Sequence, residues 1–133
     1  MPKGPRLEFE FPGEPVAKQR PRVTRGGASG PRTYTPNKTL IAERQVAWTF
    51  RHFYPSVLVD DDHDFKVTLE FYIGSKRRID IDNLVKTILD GLNGVVWKDD
   101  SQVTDLRAQK VLKFPEPHTW IRLEHALPQR RTS

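Results

Sequence analysis

Asp80, Asp82, Lys86, Asp99 and Asp100 are the residues whose types and spacing suit chemistry. Asp80 and Asp82 flank Ile81 in RRIDIDNLVK, residues 77–86, and Asp99-Asp100 follows in VWKDDSQV. If residues 80–82 are extended, period-two alternation turns both carboxylates to one face and Ile81 into the core. Like charges at that range raise one another's pKa, and a divalent cation is the usual remedy. A helix of about ten residues after Asp82 is only ~15 Å long. A return of the chain from Gly91 onward then brings Asp100 toward Asp80 and Asp82.

Each feature also has a plain structural explanation. Asp82 suits the cap of a helix starting at Asn83, and Asp80 can pair with Arg77 or Arg78. Lys86 stands four residues from both Asp82 and Asp90, as in a surface ion-pair stripe. Asp99-Asp100 can be an exposed turn, with Asp100 capping a brief helical turn at Ser101 and Gln102. Taken together on a basic chain, they point to a metal site. Three or four carboxylates, with no cysteine and no paired-histidine spacing, suit Mg²⁺ or Mn²⁺ rather than zinc. Mg²⁺ keeps waters and accepts substrate phosphate oxygens. A lysine beside it stabilises the pentacovalent charge or positions the attacking water, as a phosphodiester hydrolase requires. His52, His63, His118 and His125 show no ligand spacing and are assigned no role.

These residues need elements to position them. RLEFEF, residues 6–11, alternates like a half-buried strand. Residues 15–35 carry Lys18, Arg20, Arg22, Arg25 and Arg32 without one acidic residue, and their glycines and prolines predict an irregular basic loop. Thr35 as cap and Pro36 at the first helical position predict a helix running to Tyr54, ended by Pro55. Its Trp48, Phe53 and Tyr54 are candidates for a dimer surface, with core packing the preferred explanation. DDDHD, residues 60–64, reads as a solvated loop before a strand over 65–73. Leu84, Val85, Ile88, Leu89 and Leu92 have helical spacing, with Gly91 and Gly94 as the stop. Trp97 is expected in the core, anchoring the connector that carries Asp99 and Asp100. Strands follow over 103–114 and 119–124, separated by the turn PEPH, and residues 127–133 form a flexible tail. The order is β-α-β-α-β-β: an α+β single domain over 1–133, with a mixed β-sheet and two main helices.

Composition sets the class. The chain has 133 residues, enough for one domain with a real core. Its net charge of +5 favours polyanionic partners through phosphate neutralisation. The absence of cysteine excludes disulfides, thiolate catalysis and cysteine-ligated metals. No apolar run approaches the ~20 residues that span a bilayer, and MPKGPRLEFEF lacks a signal-peptide core. The expectation is a soluble cytoplasmic protein with no membrane partner.

RRIDIDNLVK, the following apolar helix and VWKDDSQV resemble the RusA family of Holliday junction resolvases, the crossover junction endodeoxyribonucleases. The family pattern is D-x-D-N-x-x-K, a D-G-L or similar helix end, and W-x-D-D-x-Q-V. The close match runs from Arg77 to Lys110. The resemblance implies a Mg²⁺-dependent homodimeric endonuclease that nicks four-way DNA junctions symmetrically, in recombination and repair. It implies that Asp80, Asp82 and Asp100 are metal-binding carboxylates, Lys86 the catalytic lysine, and Asp99 a neighbouring supporting group. In place of the P-x-S-x-N segment of the best-known members stands PGEPVAKQRPRVTRGG, which looks more like a branch with a basic Q-R-P-R element and T-Y-T-P. Lys18, Arg20, Arg22, Arg25, Arg32, Lys76, Arg77 and Arg78 would then hold the DNA backbone.

Three other functions compete. A PD-(D/E)-x-K nuclease would use Asp64-Phe65-Lys66. A non-catalytic DNA-binding accessory protein would use the basic loop, with the aspartates as caps and ion pairs. A RusA-like nuclease can also act on other branched DNA, such as forks or phage packaging intermediates.

Overall fold

The structure is a computed structural model that describes residues 6–19, 22–26, 30–34, 37–76 and 78–127, with the backbone course alone given for 22–26 and 30–34. In chain order the elements are β1 (Leu7–Pro12), β2 (Arg22–Gly26), β3 (Gly30–Tyr34), α1 (Asn37–Phe53), β4 (Phe65–Tyr72) and α2 (Ile81–Leu92). A 3₁₀ turn (Asp100–Gln102), β5 (Val103–Val111) and β6 (His118–His125) complete them. Thr35, Pro36 and the tail from Pro128 onward lie outside the described residues.

One mixed sheet has the strand order β1-β6-β4-β5. β6 runs antiparallel to both neighbours, aligning Ile121 with Phe9 and with Leu69. β4 and β5 are parallel. A parallel pair needs a crossover, and α2 supplies it. In β4 the residues Phe65, Val67, Leu69 and Phe71 are buried, while Lys66, Thr68, Glu70 and Tyr72 alternate to the other face. The buried set joins Leu84, Val85, Ile88 and Leu92 of α2, and Val46 and Phe50 of α1, in one core. The fold is the expected α+β sheet with two helices.

The basic segment contains more order than its composition predicted. β2 and β3 pair antiparallel as a separate ribbon, aligning Val23 with Thr33 and Thr24 with Arg32. The strand-forming Val23, Thr24, Thr33 and Tyr34 outweigh the punctuation.

Three local expectations are corrected. α2 begins at Ile81, so Asp80 occupies the cap position and Asp82 lies in the first turn, not at the end of an extended run. Gly91 lies inside α2: a Cβ there would stand 2.9 Å from the Glu43 carbonyl oxygen and 3.1 Å from Val46 Cβ. It permits the close crossing of α1 and α2, while Gly94, at φ 75°, makes the turn beyond the helix. Trp48 and Phe53 are not core residues, being 67% and 56% exposed. Tyr54 is half-buried, and its hydroxyl donates to the Glu8 carbonyl and accepts from the Glu8 N–H. Trp97 is buried as expected, its indole N–H donating to Asn93 at 2.8 Å.

Candidate active site around α2

The crossover helix carries Asp82, Lys86 and Asp90 at four-residue intervals along one stripe. Lys86 Nζ is 3.1 Å from Asp90 Oδ1 and 3.6 Å from Asp100 Oδ2. The Asp90 hydrogen bond comes first among the causes that raise the Lys86 pKa, opposed by partial burial. The lysine is thus cationic throughout the neutral range. The other oxygen of Asp90 takes Lys18 at 3.2 Å, and Lys18 also meets Glu43 at 2.6 Å. Burial opposes the Lys18 charge, but the bonds to Glu43 and Asp90 outweigh it and raise the pKa. Lys18 therefore faces the helices and bridges α1 to α2.

Asp80 and Asp82 are exposed at the start of α2. The Asp80 carboxylate makes no capping bond, and among the described residues Asp82 Oδ1 accepts from Asn83 N–H at 3.0 Å. Lys110 on β5 donates to the Ile79 carbonyl at 2.6 Å, fixing the segment that enters Asp80. The Lys18 N–H donates to the Asn83 carbonyl at 2.8 Å.

The Asp99-Asp100 turn is held differently from the expectation. Asp99, not Asp100, is the cap: it accepts from Ser101 N–H at 3.0 Å, while Gln102 Oε1 accepts from the Asp99 and Lys98 N–H groups. Those Ser101 bonds hold the Asp99 carboxyl below its usual range. The Gln102 amide donates to the carbonyls of Asp60 and His63, both at 2.9 Å, which ties the turn to the loop before β4. Asp100 thereby meets α2 at Lys86. Asp80, Asp82 and Asp100 do not all close within 4.8 Å of one another.

The donor set fits a hard cation. Asp80 and Asp82 offer exposed oxygens with few competing bonds, and Mg²⁺ uses one or two carboxylates plus waters and phosphate rather than an all-protein cage. A cavity of about 430 Å³ opens beside Asp80, lined also by Glu14, Gln19, Lys38, Ser75 and Arg78. Two of those side chains are cations suited to a phosphate backbone.

Among the expected DNA contacts, Lys76 and Arg78 are exposed. Arg20 and Arg77 lie outside the described residues, and Arg22, Arg25 and Arg32 sit on the β2–β3 ribbon. Lys66 projects from β4 away from the helix face, so it does not share a site with Lys86. The Lys86–Asp90 pair follows the four-residue spacing noted in the sequence. Sequence reasoning missed the roles of Lys110 and Gln102, of which Gln102 had a signal as the Q of W-x-D-D-x-Q-V.

Residues 12–124 match the family model described as Endodeoxyribonuclease RusA. An uncharacterised protein of Bacillus subtilis (strain 168), YqaN, is 30% identical over 124 residues, covering 78% of this chain and 86% of its own length. Among the described residues, no helix is long and apolar enough to cross a membrane.

Proposed function

Because the chain belongs to the RusA endodeoxyribonuclease family, we propose that it is a Mg²⁺-dependent endonuclease that cleaves four-way DNA junctions by paired, symmetric nicks. The carrying observation is the Lys86 ammonium, held by Asp90 and Asp100 one helical turn from Asp82.

Asp80 and Asp82 would hold the metal, with Asp100 contributing from across Lys86 and Asp99 supporting the turn. Bound there, Mg²⁺ would polarise the scissile phosphate and activate a water, with Mn²⁺ as a substitute. Lys86 remains protonated and places fixed positive charge where the phosphorane's negative charge develops. Asp90 keeps the ammonium aimed and Lys110 keeps the entry to Asp80 fixed. Lys38, Lys76 and Arg78 line the approach, with Arg20, Arg22, Arg25, Arg32 and Arg77 extending the phosphate track. Lys18, paired with Glu43 and Asp90, braces that track rather than leading it.

Two nicks on opposed strands need two sites in two-fold relation, so the working form is a homodimer. The protein would act in the cytoplasm, in recombination and repair or on phage DNA intermediates.

The test is cleavage of a synthetic four-way junction beside a linear duplex and a fork, with Mg²⁺ or EDTA, by wild type and Asp82→Asn. Paired nicks in the junction that need Mg²⁺ and vanish in the variant, with binding retained, are the expected result. A folded wild type that binds junctions indifferently to Mg²⁺ and cuts nothing would leave a DNA-binding accessory protein. Preferential cutting of the fork would favour the other branched substrates.

A further inference from the structure

The histidines that lack ligand spacing in the sequence are brought together by the fold. Among the described residues, Asp60, His63 and His125 form the group of three whose donor atoms lie within 4.8 Å of one another. His63 Nδ1 is 2.9 Å and His125 Nε2 is 3.3 Å from the same atom, Asp60 Oδ2. Asp60 Oδ1 is already engaged, accepting from the N–H groups of Asp62 and His63 at 2.8 and 2.9 Å. Burial alone would raise the Asp60 carboxyl, but those bonds and the His63 contact outweigh it and hold it ionised. One oxygen of a fixed carboxylate thus faces two imidazole nitrogens.

We propose that Asp60, His63 and His125 form a second cation site, selective for zinc or a similar borderline transition ion and separate from the carboxylates of α2. Two imidazoles and one carboxylate are a donor set for zinc, and three protein ligands leave a position for water. The two sites divide by softness, since the α2 carboxylates offer oxygen alone.

The support for each ligand is already built. Asp60 N–H donates to the Val96 carbonyl, and the Asp60 carbonyl accepts from Lys98 N–H and from Gln102. His125 ends β6, with its ring edge-on to Phe65 and its side chain 18% exposed. His63 is the more exposed ligand, 55% exposed and stacked on His125 at 4.1 Å and 4°. Parallel rings cannot both aim their lone pairs at one ion, so His63 must swing as the ion enters. The bound ion would pin the loop before β4 to the end of β6. Through Gln102 that loop also carries the Asp99-Asp100 turn.

Metal-stripped protein held in excess Mg²⁺ is titrated with zinc sulfate, and separately with cobalt chloride. Expected are one zinc per chain, a rise in melting temperature of roughly 5–10 °C at saturation, and visible cobalt absorption. His63→Ala and His125→Gln should each weaken zinc binding by about tenfold or more, while Asp82→Asn leaves it unchanged. The proposal is overturned by no zinc-dependent shift in the wild type, by undiminished binding in His63→Ala, or by loss of binding in Asp82→Asn. If His125→Gln fails to fold, His63→Ala decides, because that side chain is exposed and its removal leaves the core intact.

Discussion

Lys86 of α2 and Asp100 of the turn before β5 meet at 3.6 Å, joining the two halves of the linked motif through a salt bridge. The ammonium is held from a second side by Asp90, so its position is set by two elements instead of one flexible stem. This is preorganisation of a charge, and it decides how the lysine should respond to substitution.

Lys86→Met should lower junction cleavage by roughly 10²–10³-fold with junction affinity nearly unchanged, as for loss of a transition-state charge. Lys86→Arg should restore only part of the rate, because a planar guanidinium does not reproduce the same point charge. Single-turnover rates at saturating enzyme, beside a binding titration, separate the two effects. A proportional loss of binding would make Lys86 a phosphate contact.

Asp90→Asn removes the charge shared by Lys18 and Lys86. Asp90 is only 18% exposed, so about 1–2 kcal/mol of stability should be lost, between the surface and buried limits for ion pairs. Cleavage should fall by about tenfold as the ammonium loses its aim. Urea melts and single-turnover rates measured on the same preparations check both.

Lys18 contributes to the pH dependence at the alkaline end. Its folded pKa is raised above the ordinary 10.5, so the folded state holds the proton more tightly. Its stabilisation is therefore full below the unfolded value and is lost as pH rises through the folded one. Subtracting the stability curve of Lys18→Met from that of the wild type should give a plateau at neutral pH that declines above pH 10.5. A flat difference would show that packing of the alkyl stem, not its charge, carries the effect.

Gly91→Ala sets two terms against each other. Alanine gains up to about 1 kcal/mol in helix propensity, but its Cβ would press on the Glu43 carbonyl at 2.9 Å, backbone that yields only by moving a helix. Overpacking costs roughly 1–3 kcal/mol, so a net loss of about 1–2 kcal/mol is expected. The urea midpoint should drop with an unchanged slope.

Gln102→Ala deletes four hydrogen bonds, two that close the Asp99-Asp100 turn and two that tie it to the loop before β4. Cleavage should fall by at least about tenfold, since small displacements of catalytic groups are costly, while stability falls by only about 1–2 kcal/mol. Gln102→Glu keeps the acceptor for Lys98 and Asp99 but loses the donor to Asp60 and His63. A rate between wild type and alanine would apportion the two sides.

The sequence by itself determined the sheet, the two helices and which residues are candidates for the site. Alternation in FKVTLEFY and the stripe of Leu84, Val85, Ile88 and Leu92 are local periodicities that burial enforces wherever the segments dock. Asp80, Asp82, Lys86 and Asp100 announced themselves by type and spacing in two linked motifs. What the tertiary structure alone decided is which side chains meet. The return at Trp97 delivers Asp100 to Lys86, and the crossing of α1 over Gly91 lets Lys18 bridge Glu43 and Asp90. His63 and His125 lie far apart in the chain, yet β6 pairs with β4 and sets both rings against Asp60. Periodicity is written residue by residue, whereas these encounters depend on strand order and helix crossing, which arise from the packing of the whole chain.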